Sequence, residues 1–171
     1  DGIRYKSSSW LFDQKRLLIV SDREGEDRLE IHDFDSLKAP KVLKKMNLGR
    51  ILSIKPSPMQ EEAVLTNHRC ELFHVNLKTE KVQQIDKSHF GDIRGLNWSP
   101  DGKWVAYDYP LNDRLRAIKL CEIKGFKTHV ITKPLLEDFS PSFDPEGKYH
   151  ARYNDEFYRE LTPEEEKENH G

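Results

Sequence analysis

One short string, Ser99-Pro100-Asp101-Gly102-Lys103, limits the folds open to this chain, because it recurs in altered form at a nearly fixed spacing. Pro100 presets φ at about −65° and offers no N–H to a strand ladder, while Asp101 and Gly102 tolerate the left-handed conformations of tight turns. The string therefore reads as a turn between a strand at Leu96–Trp98 and an antiparallel strand at Trp104–Tyr107. The same punctuation appears at Ser57-Pro58 and at Asp144-Pro145-Glu146-Gly147-Lys148, with steps of 42 and 45 residues between prolines. A degenerate copy, Trp10-Leu11-Phe12-Asp13, lies 45 residues earlier when counted from Asp13 to Pro58. A period of about 40 to 50 residues marks propeller blades and similar arrays.

What lies between the turns repeats as well. Second strands read Arg16–Val20, Glu62–Leu65 and Trp104–Tyr107; third strands, Leu29–Phe34, Leu72–Leu77 and Ile118–Ile123; fourth strands, Lys41–Leu43, Lys81–Ile85 and Thr128–Thr132. Asp33, Asn76 and Glu122 are polar at one aligned position, and Phe34, Leu77 and Ile123 are apolar at the next. The pattern predicts an all-β chain of β-propeller blades, each a four-stranded antiparallel meander with alternate side chains reserved for packing between blades. The predicted propeller region is 1–149, in units 8–48, 49–90, 91–134 and a partial 135–149, followed by an irregular, helical or disordered tail at 150–171. About four repeats are the lower limit for a closed ring, so an arc of a larger ring is expected.

In the tail, Tyr153, Phe157 and Leu161 follow helical spacing, and Thr162-Pro163-Glu164-Glu165 reads as an N-cap, a first-turn proline and a capping-box acid. A charge-rich solvated coil is the other reading of the same residues.

Charge excludes several classes. The 28 Lys and Arg nearly cancel the 30 Asp and Glu, giving a net charge of −2, unlike a generally basic nucleic-acid binder. No apolar run approaches the ~18 residues of a membrane helix. The two cysteines, Cys70 and Cys121, have neither disulfide-framework nor zinc spacing, so reduced thiols and a cytoplasmic setting are expected. The chain opens on Asp1 without a signal-peptide pattern, which says little about targeting of a parent protein.

Longer strings carry a family resemblance. Gly95 through Arg114, Ala117-Ile118-Lys119-Leu120-Cys121 and Asp138 through Pro145 resemble the tricorn proteases and their bacterial homologues, whose blades share the WD-like motif of TolB and prolyl-oligopeptidase relatives. The resemblance covers residues 10–149 and points to the second, seven-bladed ring of large cytosolic serine peptidases, in which two propellers precede a PDZ-like domain and the catalytic domains. It implies partners of three kinds: peptides or unfolded polypeptide, the remaining domains of the same protease, and further copies in a homo-oligomer. The family pattern breaks after Tyr149, where His150 through Tyr158 replace an apolar strand.

Candidate chemistry is sparse. There is no Gly-x-Ser-x-Gly elbow, and Ser99, Ser140 and Ser142 sit beside prolines in what reads as repeated turns. The family's catalytic residues belong to domains this chain lacks, so no catalytic residue is assigned. His68, Cys70 and His74 come nearest to a metal cluster, but along an extended strand they would span ~20 Å, too far for one zinc ion. Asp33-Phe34-Asp35 lacks the other ligands of a calcium loop. No phosphate-cradling glycine motif occurs, so no metal or cofactor is expected. Lys38, Lys41, Lys44, Lys45 and Arg50 form a basic stretch that could face an anionic partner or a peptide C-terminus, but a solvated loop explains them better. Trp10, Trp98 and Trp104 recur near hairpins and suit blade packing better than a ligand cage. The reading is a noncatalytic propeller segment that guides or filters peptides for a tricorn-like protease. The alternative is a free-standing TolB-like scaffold; a prolyl-oligopeptidase propeller is a third possibility.

Overall fold

A computed structural model describes residues 4–23, 25–36, 38–44, 46–132, 138–147, 149–153 and 157–160. Four antiparallel sheets follow one another along the chain. Sheet 1 is built from β1 (Arg4–Trp10), β2 (Arg16–Arg23), β3 (Glu26–Asp33) and β4 (Lys41–Val42) in that spatial order. Sheet 2 repeats it with β5 (Ile51–Pro56), β6 (Glu62–Asn67), β7 (Glu71–Asn76) and β8 (Lys81–Lys87). Sheet 3 holds β9 (Arg94–Trp98), β10 (Trp104–Pro110), β11 (Arg116–Glu122) and β12 (Lys127–Val130). Sheet 4 holds three strands, β13 (Asp138–Phe143), β14 (Tyr149–Tyr153) and β15 (Phe157–Glu160). No described residue is helical, and no helix is long and apolar enough to cross a membrane.

Repeated turns set this topology. The N–H groups of Leu11, Ser57 and Ser99 donate to the carbonyls of Arg16, Glu62 and Trp104 at 2.9, 2.8 and 2.9 Å, closing the same loop of four intervening residues in three sheets. Gly102 and Gly147 take positive φ at one aligned position, and Gln14 bears the same strain at φ 53°. Gly102 has a second constraint, since a Cβ there would lie 3.1 Å from the Met59 Cβ. Register places Phe12, not Asp13, at the proline position, so the first turn lies one residue further from the second than counting from Asp13 implies. Asp13 instead matches Asp101: its carboxylate accepts from the N–H groups of Lys15 and Arg16, as that of Asp101 does from Lys103.

The sheets stack face to face. Leu18, Val20, Leu29 and Ile31 of sheet 1 pack against Ala63, Leu65 and Val75 of sheet 2. The opposite face of sheet 2, with Val64 and Leu72, meets Val105, Tyr107 and Cys121 of sheet 3. Ala106 and Ile118 then face Ile131 and Phe143. Ala63-Val64-Leu65 and Val105-Ala106-Tyr107 are consequently buried without alternation, which corrects the expectation of strands packed on one face only. A sheet with neighbours on both sides has no wet face, so its middle strands are apolar at every position. On the far side of sheet 1, Leu17 and Ile19 remain half-buried.

The C-terminal segment also departs from expectation. Tyr149–Tyr153 is the second strand of sheet 4, paired with β13, where a break in the blade pattern was expected. Tyr153 and Phe157 are register partners in the antiparallel β14–β15 pair, so their four-residue separation belongs to paired strands rather than to the pitch of a helix. Residues 161–171, including Leu161 and Thr162-Pro163, lie outside the described residues.

Candidate functional site

The first strand of each sheet touches the first strand of the next, β1 to β5, β5 to β9 and β9 to β13, forming one inner edge. All four carry a bulge, at Tyr5/Ser7, at Ile51/Ser53, opposite Ala106/Asp108, and at Phe139/Ser142. Bulges increase local twist and let the strands converge. At Gly95, φ 61°, β9 runs close against β13: a Cβ there would lie 3.0 Å from Cδ of Pro141. Trp98 fixes the adjoining strands by donating its indole N–H to the Lys55 carbonyl at 2.9 Å. Trp10 occupies the matching position in sheet 1 but is 53% exposed, resting on Phe34 with ring centroids 5.4 Å apart.

Every charged residue of β1, β5 and β9 is an exposed cation, Arg4 and Lys6 on β1, Lys55 on β5 and Arg94 at the start of β9, with Arg50 just before β5; Tyr5, Ser7, Ser8, Trp10 and Leu52 are exposed among them. Lys6 is ion-paired with Asp27, whose other oxygen accepts from the Ile51 N–H at 2.7 Å. A cleft of about 230 Å³ between sheets 1 and 2 is bordered by Lys6, Asn47, Arg50 and the carboxylates of Glu26 and Asp27.

Residues singled out by sequence disperse. His68 Nδ1 accepts from the Arg50 N–H at 3.0 Å. Cys70, at φ 58°, points its thiol at Asp92 from 3.6 Å; burial, then that contact, pushes its pKa up. His74 lies 3.2 Å from Glu62 and beside the Phe126 ring. Each therefore serves a different neighbour. Ser99 caps its turn, accepting from the Trp104 N–H at 2.9 Å. Ser140 and Ser142 are not turn residues as expected but belong to β13, where a bulge accommodates Pro141 without a ladder hydrogen bond. Asp33 accepts from the Asp35 N–H at 3.0 Å, closing a local turn.

The basic stretch does not act as one patch. Lys41 reaches Glu80 of sheet 2 at 3.6 Å, the Lys44 N–H donates to the same carboxylate, Lys38 is exposed on a turn, and Arg50 joins the inner edge. Lys45 lies outside the described residues. Trp104 lies beside His129, with ring planes tilted 52° and centroids 6.4 Å apart.

Sequence reasoning missed two polar clusters. Between sheets 2 and 3, one Asp86 oxygen accepts from the Tyr107 hydroxyl at 2.7 Å and from Lys119 at 2.8 Å, and the Lys119 ammonium lies 3.6 Å from the centre of the Tyr109 ring. Burial, with Asp86 nearby, holds the Tyr107 hydroxyl protonated far above its ordinary range. On the outer face of sheet 1, fully buried Glu30 accepts from Ser21 at 2.6 Å and meets His32 at 2.9 Å. Partners up to 33 residues apart give no local pattern by which to find such clusters. The cations of β1, β5 and β9 were legible, as first strands without an acid, whereas β13 begins on Asp138.

Comparison with known proteins places these features in a family. Residues 1–150 match the family model described as the tricorn protease second beta propeller domain. A putative tricorn-like protease C-terminal subunit of Sulfurisphaera tokodaii is 37% identical over 150 residues, 86% of this chain and 16% of the relative. A tricorn protease homolog of Saccharolobus solfataricus is 38% identical over 72% of this chain and 11% of its own length. The tricorn protease of Thermoplasma acidophilum is 30% identical over 82% of this chain and 14% of its own. The chain thus spans under a fifth of the length of these curated relatives. Among solved structures, a putative TolB from Agrobacterium tumefaciens superposes with a TM-score of 0.66 at 15% identity, over 93% of this chain and 62% of that one, a likeness of fold.

Proposed function

The chain belongs to the tricorn protease second β-propeller family, and from that premise we propose that it is a noncatalytic propeller segment of a tricorn-like serine peptidase, guiding or filtering peptides for degradation by domains elsewhere in the same polypeptide. The observation that carries the reading is the family match over residues 1–150 on a chain folded as consecutive blades around one inner edge. The serines weighed as nucleophiles support it: Ser99 is committed to a turn, and Ser140 and Ser142 to a strand. Residues 1–149 would act as the propeller unit, in a cytoplasmic enzyme.

The chain should bind unfolded polypeptide and cleave none of it. Incubation with fluorogenic peptides and with a permanently unfolded protein tests both statements. Robust cleavage that a point substitution in this chain abolishes would overturn the noncatalytic assignment, and so would an intact parent gene without a protease domain. Equal binding of folded and unfolded proteins would overturn the filtering role.

A further inference from the structure

Resting on that reading, we infer that the inner edge of the arc selects peptide segments rich in acidic side chains. The observation is a local imbalance of charge. The chain as a whole is at −2, yet β1, β5 and β9 carry Arg4, Lys6, Lys55 and Arg94 with no Asp or Glu among them, and Arg50 directly precedes β5; the fourth inner strand, β13, begins on Asp138, so the imbalance belongs to sheets 1 to 3. All five cations are exposed. Lys6 is paired with Asp27, and Arg94 lies 3.6 Å from Asp92, but among the described residues Arg4, Arg50 and Lys55 have no ion-pair partner.

Their placement follows from the topology. Sheets 1 to 3 share one strand order, so the starts of β1, β5 and β9 lie at one rim, bringing Arg4, Arg50 and Arg94 to the same end of three adjacent strands. Lys55 extends the cationic track by about 16 Å along β5, at ~3.3 Å per residue. Lysines on open sheet edges ordinarily block strand pairing, and the outer strands have Lys41, Lys81 and Lys127 for that purpose. The inner rim instead uses arginine at three of its five positions, and guanidinium forks match carboxylates in bidentate geometry. Tyr5 and the 46%-exposed Leu52 interleave with these cations, giving apolar side chains of an extended peptide a surface beside its carboxylates. Asp27, saturated by Lys6 and the Ile51 N–H, offsets Lys6 alone and leaves Arg4, Arg50 and Lys55 as the rim's unpaired cations among the described residues.

Fluorescence anisotropy with an amidated, dye-labelled peptide of alternating Glu, Gly and Leu tests this on the full chain, beside Gln and Lys versions of equal length. The acidic peptide should bind at least about tenfold more tightly than either, and lose most of that advantage in half-molar salt. Arg50→Glu with Arg94→Glu should abolish the preference while circular dichroism stays unchanged. Lys78→Glu with Lys124→Glu, an equal charge change at the opposite rim, should leave it intact. Loss in both double variants would reduce the effect to net charge and overturn the inference. It would also fail if binding required a free C-terminal carboxylate, or if polyuridylate of equal charge bound more tightly. Equal binding of neutral and acidic peptides would remove the inference and leave the peptide-handling role standing; no binding of any unfolded peptide would remove both.

Discussion

Asp86→Ala should weaken the contact between sheets 2 and 3 far more than the loss of one surface carboxylate would. The Asp86 and Lys119 side chains are only 14% and 15% exposed, and the Tyr107 that shares the carboxylate is fully buried. Removing one partner of a buried pair costs about 3 to 5 kcal/mol, chiefly through the charge left unpaired. Here the Lys119 ammonium keeps the face of Tyr109, which places the expected loss near the lower end, about 3 kcal/mol. Removing that ammonium as well tests the reasoning. Asp86→Ala combined with Lys119→Met leaves only the Tyr107 hydroxyl unsatisfied, a cost of about 1 to 3 kcal/mol, so the double variant should be no worse than Asp86→Ala alone. Urea unfolding followed through Trp98, whose indole sits between the same two sheets, reads each variant. A loss below about 1 kcal/mol for Asp86→Ala, or single losses that sum to the double within about 0.5 kcal/mol, would refute the account.

Three further outcomes follow from the same structure. Gly95→Ala should cost about 1 to 3 kcal/mol, measured by the same unfolding transition, because alanine strains at φ 61° and meets Pro141 at 3.0 Å. Glu71 should make folding acid-sensitive: burial raises its pKa, but hydrogen bonds from Asn67, Lys87 and Arg69 outweigh burial and hold it below the ordinary value. A depressed folded pKa adds stability above the unfolded value of about 4.3 and loses it as pH falls through the folded one, so Glu71→Gln should flatten the stability profile between about pH 5 and 3. Cys121 is fully buried, and burial pushes its thiol up to about 12, so at pH 8 iodoacetamide should label it only after unfolding, as mass spectrometry of the peptide would show.

The sequence made the period legible because turns have local chemistry: Pro100, Asp101 and Gly102 announce one whatever surrounds them. Strands followed to within a few residues, since Arg16, Glu62 and Trp104 each begin β2, β6 and β10 directly after such a turn. What failed was reading that needed neighbours. Tyr153 and Phe157 mimic a helical face because register partners in an antiparallel pair and residues one helical turn apart can differ by the same count. Ala63-Val64-Leu65 cannot announce burial on two faces without the sheets on either side. The bulge at Lys6 has no glycine to mark it, unlike that at Gly95. Arg50 reads in sequence as the end of a lysine-rich loop, and only the register of β5 moves it to the inner rim.

The sheet-on-sheet stacking also governs how the arc comes apart. Each sheet is held by its immediate neighbours, so local stability should rise with the number of interfaces a sheet shares. Among the described residues, sheet 1 packs on sheet 2 through one face; within this chain it can open while the contact between sheets 2 and 3 persists, whereas sheet 2 cannot leave without dissolving both of its interfaces. Opening should therefore proceed inward, like unzipping, with amides of β2 exchanging before those of β6. The same geometry makes such a structure modular in evolution: a blade can be gained or lost at the margin by refitting a single face, while any change in the middle must satisfy two.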